Sequence, residues 1–439
     1  MGACQRRRPG IESEGEAGMN TVKKLLEENP QVSDYKLNTR KKESFELFYV
    51  KGKLETVRST DTCDKQVTVY ADHDGFRGDA AFYVYPSTTP EEIREKIASA
   101  VENALLISNE AYTLPEDSQE EHTIPSNFSQ YSPADLASQI AETVFAANQV
   151  ENGSLNSVEI FINHYTDTVA NSRGLYKIQH RYDAMVEAIP TYNGKEQSVE
   201  LYEQYNFSTL DTALLAGEIS RKMEEVRARY QAHKPETMPE CPVVLNKLEL
   251  NDLFSAIAGD LNYSTVYSHS NLFRKGDTLQ KDRTGDSLNI RMAGAAEGNV
   301  CSACFDSDGM RLGEIQLVKD GSVENYYGSN RFGQYLKETP TGNLRCLCVE
   351  PGSLDTVEGP YLEVLSMSGL QVDFFNDYIG GEIRLAYYHD GENCTPVTGI
   401  SVSGALRQVL SYVKLSCHTA IHDGYMGPAQ ALLRNMRIF

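Results

Sequence analysis

Nowhere in its 439 residues does the chain approach the 18 or so uninterrupted apolar residues that a membrane-spanning helix requires. Positive charge is also scarce: 41 Lys and Arg stand against 62 Asp and Glu, giving a formal net charge of -21. Past the first ten residues no stretch gathers enough basic side chains to hold a phosphate backbone, so a nucleic acid is a poor partner. The basic opening, Arg6-Arg7-Arg8, lacks the apolar core that follows it in a secretory signal. Nine cysteines, an odd number in a long chain without such a signal, point to reduced thiols rather than a disulfide framework, and so to a cytoplasmic protein. Common active-site strings are missing too. No GxSxG surrounds any serine, and Gly380-Gly381 is too short a glycine run to cradle phosphate.

What is present is an ordinary globular composition, 40% apolar with 32 glycines, in a chain long enough for about three domains. Residues 1–18 differ from the rest: three arginines, Pro9, Gly10 and scattered Glu, with no apolar period before Met19. Met1-Gly2-Ala3-Cys4 hints at lipidation, but Arg6 stands where a myristoylation site wants Ser or Thr, so a disordered or non-native extension is the better reading.

From Met19 the periodicities divide the chain into blocks. Residues 19–115 read as an N-terminal α+β domain. Its strands carry Phe45, Leu47 and Tyr49 in alternation, DHDGFRG supplies a hairpin turn, and Thr89-Pro90-Glu91-Glu92 is a capping box ahead of the stripe Ile93, Ile97, Ala100, Val101. Residues 116–130 are polar and read as a linker. Residues 131–235 form a middle domain. A helix capped at Ser132 opens it, strands flank the turn Asn171-Ser172-Arg173-Gly174, and a long helix runs from about Asp211 to Tyr230. Residues 236–439 form a β-rich C-terminal domain. It starts with a strand and a helix capped at Asn246, whose Leu250, Leu253, Phe254 and Ile257 face the core. Between Phe305 and Gly352 the turns Asp308-Gly309, Asp320-Gly321, Thr341-Gly342-Asn343 and Pro351-Gly352 predict an antiparallel meander. Clustered rather than alternating elements make the class α+β, with antiparallel or mixed sheets flanked by helices.

Three clusters of residues could hold a cation. Cys301, Cys304, Cys346 and Cys348 supply four thiols, weighed as structural zinc against reduced packing cysteines. Cys417 and His418, with His422 four residues further on, form a second candidate metal set, set against a loop at a subunit contact in which HDGY reads as a turn. Asp306 and Asp308 suggest calcium, but the other ligands of a twelve-residue loop are missing and a turn is preferred.

FELFYVKGKLETVRST, DHDGFRG, TVANSRGLY, PVVLNKLELNDLFSAI, FDSDG, TGN, EPGS and GPAQALLRNMRI occur in an order that resembles the TldD/PmbA family, also known as the modulator of DNA gyrase family, over the chain from about Tyr35 to its end. The resemblance implies a three-region cytosolic fold in a metallopeptidase system that trims peptide precursors and degrades unfolded or antitoxin-like polypeptides. It also implies a dimer in which the TldD-like subunit alone carries HExxxH and its zinc or other divalent ion. That motif needs two imidazoles for the ion and a Glu to take a proton from bound water. The matching helix here reads LFSAIAGDLNYS, and a gapless register places Ser255, Ala256 and Asp260 at the first His, the Glu and the second His. The chain is therefore expected to be the PmbA-like partner, with no catalytic residues, metal or cofactor of its own. The alternatives are a self-sufficient hydrolase with an unrecognised site and a regulatory homodimeric binding protein.

Overall fold

The computed structural model describes residues 12–439 apart from Asp117, with side chains described from Met19 onward. The lipidation and extension readings for residues 1–11 lie outside the described residues. The first helix, α1 (Glu12–Glu27), begins ahead of the boundary expected at Met19 and docks Met19, Val22, Leu25 and Leu26 into the core.

Nine strands build the first sheet: β1 (Asp34–Val50), β2 (Lys53–His73), β3 (Phe76–Val84), β4 (Asn109–Glu110), β5 (Gln119–Thr123), β6 (Gly153–Asn171), β7 (Tyr176–Asn193), β8 (Ser198–Glu200) and β9 (Glu203–Phe207). The order is β4-β3-β2-β1-β6-β7-β5, with β8 and β9 also on β7. Its tight hairpins follow from sequence. Lys51-Gly52 and Asp74-Gly75 all take positive φ, the backbone that lets two twisted strands reverse in two residues. The blocks read as 19–115 and 131–235 meet in this one sheet, since β1 pairs with β6 from Lys36 opposite Asn171 to Val50 opposite Ser157. The tract read as a linker supplies β5, which runs parallel to β7.

Alternation decides which face of the sheet is dry. Tyr35, Leu37 and Leu47 of β1 point to the same side as Val67 and Val69 of β2 and Ile160 and Ile162 of β6. That face is covered by α1, α2 (Pro90–Ala104), α3 (Pro133–Ala146) and α4 (Thr212–Gln231). The capping box on α2 forms as expected: Thr89 Oγ1 accepts from Glu92 N at 3.3 Å and the Glu92 carboxylate accepts from Thr89 N at 2.7 Å. The opposite face of the sheet is polar.

The C-terminal region holds two further sheets of nine and six strands around one apolar core, with α5 (Lys247–Asp260) packed into it just after strand β10 (Val243–Asn246). The expected α+β class is what is found. The meander expected between Phe305 and Gly352 is found only in part. Asp320-Gly321 does join strands Glu314–Lys319 and Ser322–Val323, but a helix, Asn330–Leu336, interrupts the series. The TGN turn is fastened from elsewhere, through the amide of Asn343 to Asp306 at 2.9 Å. Among the described residues no helix is long and apolar enough to cross a membrane.

Candidate functional site

Helix α5 holds the three positions, Ser255, Ala256 and Asp260, that the resemblance matches to a metal motif. Asn246 caps it, its side-chain oxygen accepting from Leu248 N at 2.8 Å while its amide nitrogen reaches the carbonyl of Val364 at 3.2 Å. Leu250, Leu253, Phe254 and Ile257 are fully buried, and the Phe254 ring lies parallel to that of Tyr425 with centroids 6.3 Å apart. The three positions matched to the metal motif then diverge. Ser255 is exposed and donates to Asn251 Oδ1 at 3.2 Å, and Ala256 is half-buried. Asp260 is buried, with its two carboxylate oxygens taken by the backbone amides of Leu272 at 2.8 Å and Phe273 at 3.0 Å. Burial outweighs those two hydrogen bonds and holds its carboxyl above the ordinary aspartate range. An exposed hydroxyl, a methyl group and a carboxylate with both oxygens committed to backbone amides do not fit a divalent ion.

The same helix buries a second acid, Glu249, at 2% exposure with Oε2 unpartnered. Burial raises its carboxyl from 4.5 to about 7. Between those values the folded protein keeps a proton that the unfolded chain has released, so stability present below pH 4.5 is lost as pH rises toward 7. Glu249→Gln keeps the shape without the charge. It is expected to flatten this slope and to exceed the parent above pH 7 by up to about 3 kcal/mol in urea unfolding at a series of pH values.

The cysteine and aspartate candidates separate clearly. Cys346 and Cys348 lie on a wholly buried strand against Ala293, and burial pushes the Cys346 thiol up to about 12, where it is inert. Cys304 packs instead with Phe305, Val169 and Leu175. The four thiols do not converge, because among the described residues one group alone brings three donors together: Asp355, Cys417 and His418. His422 is not part of it, facing Asp423 at 3.8 Å across the tip of the expected HDGY turn. Asp306 is the anchor of its own turn, its Oδ1 accepting from the amides of Asp308 at 2.9 Å and Met310 at 3.0 Å, while Asp308 pairs with Lys36 of the first sheet. The NSRG string likewise builds a corner: Asn171 Oδ1 accepts from Arg173 N at 2.9 Å, and Ser172 donates to buried Asp34 at 2.6 Å.

A cavity of about 940 Å³ lies where the polar face of the first sheet meets the loops around residues 300–307 and 343–345. Five acidic and five basic side chains line it, so its wall is balanced although the whole chain is strongly negative. Arg40 pairs with Asp167 at 2.6 Å, Arg58 pairs with Glu46 at 2.5 Å, and the Arg181 guanidinium lies 3.8 Å over the Tyr165 ring. Three polar atoms of its lining residues are buried without a hydrogen-bond partner. Asn163, 5% exposed, donates to Asp183 at 2.7 Å yet leaves its own oxygen without a partner, as do Asn38 Oδ1 and Thr39 Oγ1. Sequence reading did not single out these residues. The available signal was the alternation of β1, whose apolar positions are spaced by the polar ones that face the cavity.

A second opening of about 580 Å³ lies between α4, β9, the start of α5 and the hairpin that carries His422. Lys222 of α4 binds Glu203 of β9 at 2.6 Å and Glu225 at 2.5 Å, and Glu218 of α4 reaches Lys247 of α5 at 2.8 Å. These pairs tie the N-terminal sheet to the helix under discussion.

Residues 239–439 match the model of the PmbA/TldA metallopeptidase C-terminal domain. A curated protein of Haemophilus influenzae, the Metalloprotease PmbA homolog, is 25% identical over 315 residues, 67% of each chain. Among solved structures, TldE from Thermococcus kodakarensis superimposes with a TM-score of 0.77 at 14% identity, covering 97% of this chain and 99% of that one. A protein described as a modulator of a DNA gyrase from Thermotoga maritima gives 0.73 at 15% identity, over 97% of this chain and 100% of the other. A similarly described protein of Bacteroides thetaiotaomicron gives 0.72 at 15% identity, over 97% and 98%. At such identities the structural likeness establishes the fold.

Proposed function

Because this chain belongs to the TldD/PmbA family, we propose that it is the non-catalytic subunit of a cytosolic peptidase dimer. Its partner is a TldD-like subunit that holds zinc or another divalent ion, and its role is to complete the chamber that receives unfolded or antitoxin-like polypeptides and peptide precursors. The observation that carries this reading is the fate of α5: the position matched to the motif's second imidazole is a buried carboxylate spent on two backbone amides.

Two features suit a peptide-receiving role. The balanced cavity wall, which carries no net charge, matches the uncharged but hydrogen-bonding main chain of an extended polypeptide. Beside it, β2 pairs with β1 along its length but with β3 only from Lys65 onward, leaving the edge from Lys53 to Asp64 open and exposed. Arg58 and Asp64 project from that stretch into the cavity. A strand added there would be gripped through backbone groups with little demand on its sequence.

Reconstitution tests the proposal. Purified alone, the chain is expected to leave an unfolded protein such as reduced casein uncut. Mixed with the HExxxH-bearing subunit from the same cell, it is expected to co-elute as a dimer and support chelator-sensitive cleavage. Chelator-sensitive cleavage by the chain alone would overturn the proposal.

A further inference from the structure

We propose that Asp355, Cys417 and His418 form a surface site for a zinc-class divalent ion. Their donor atoms all lie within 4.8 Å of one another. His418 Nε2 is 3.4 Å and Cys417 Sγ 3.6 Å from the same oxygen, Asp355 Oδ1. A tetrahedral ion with bonds of about 2.0 Å to nitrogen and oxygen and about 2.3 Å to sulfur separates its ligands by about 3.3 Å for N and O, and about 3.5 Å for S and O. The observed edges are thus close to those an ion would impose.

The backbone holds this geometry in place. Cys417 N donates to Leu354 O at 2.8 Å, Leu354 N to Leu415 O at 2.9 Å, and Gly352 N to Ser416 O at 3.1 Å, so the two loops form a short ladder that sets Asp355 opposite Cys417. Asp286 clamps both loops from behind, accepting from Ser353 N at 3.1 Å, Ser353 Oγ at 2.7 Å and Leu415 N at 2.8 Å. His418 is fixed by its own amide, which donates to Ser416 Oγ at 3.0 Å. The alternative account of these contacts is an exposed ion pair and a thiol hydrogen bond. With the Asp355 and His418 side chains 75% and 71% exposed, such a pair contributes little, since an open surface pair is worth about 0–1 kcal/mol.

The donor set selects the metal. A thiolate and an imidazole favour zinc or cobalt over magnesium or calcium, and the carboxylate adds the charge that neutralises a divalent ion. The fourth position faces solvent, leaving room for water or a ligand. Binding displaces the Cys417 proton, so affinity rises with pH.

Titration of the purified full chain with Co²⁺, followed by displacement with Zn²⁺, tests the site. The expected result is one ion per chain with a near-ultraviolet thiolate-to-cobalt absorption that zinc abolishes. Cys417→Ser is expected to lose that band, Asp355→Asn and His418→Ala to weaken binding by at least about tenfold, and His422→Ala to change nothing. Circular dichroism of each variant checks the fold, which exposed substitutions leave intact. Absence of the band in the parent, or its persistence in Cys417→Ser, would overturn the assignment.

Discussion

Replacing Asp260 by alanine is expected to destabilise the protein by about 3–5 kcal/mol, more than an ordinary acidic substitution, because it removes two charge-assisted hydrogen bonds and strands two amides. The carboxylate is 6% exposed, and the amides of Leu272 and Phe273 that it accepts belong to the chain just beyond the helix, where Phe273 enters the C-terminal core. Asp260→Asn should recover part of the loss, since its oxygen still accepts one amide while its NH₂ group faces the other. Equilibrium urea unfolding gives the difference. If Asp260→Ala were neutral, the carboxylate would be free for another role, and the argument that it is committed to the fold would fail. The same reasoning predicts that writing the family motif back into α5 does not by itself restore a metal site: Asp260→His would break the loop it was meant to serve.

The second large effect lies on α4, beside the start of α5. Lys222→Met is expected to cost about 3 kcal/mol, because it removes the ammonium that Glu203 and Glu225 share and leaves Glu225 only the more distant Arg221, at 3.8 Å. The Lys222 side chain is 14% exposed and that of Glu225 7%, so solvent replaces the lost partner of Glu225 poorly even with an opening beside it. Burial already pushes the Glu225 carboxyl upward, so lowering the pH lets it take a proton and removes the uncompensated charge. The deficit of the variant relative to its parent should therefore shrink as the pH falls. A deficit independent of pH would mean that lost packing of the lysine stem, rather than charge, accounts for it.

Much of this architecture is legible in local sequence because its causes are local. Thr89 and Glu92 form a capping box whatever surrounds them, and the Leu250, Leu253, Phe254, Ile257 stripe has one way to be buried. The α+β class could be read in the same way. The rest depends on pairing across long separations. That β1 joins β6 in a single sheet is fixed by contacts more than a hundred residues apart, which no periodicity reveals. The helix Asn330–Leu336 escaped notice because it is seven residues long, contains Gly333 and has no side-chain hydrogen bond at its N-cap. Asp355 could not be named beside Cys417 because 62 residues separate them and a backbone ladder brings them together. Asp260 is matched by register alone to the second His position, and its actual work, holding the chain twelve residues further on, is visible only in three dimensions.

The most direct test of the central claim is peptide cleavage by a dimer of this chain, unmodified, with a TldD-like partner whose HExxxH glutamate has been replaced by glutamine. If α5 of this chain contributes no chemistry, the dimer should still assemble and bind an unfolded substrate but cut it no faster than buffer. Cleavage persisting at the rate of the unaltered pair would place the chemistry in this chain and contradict the account.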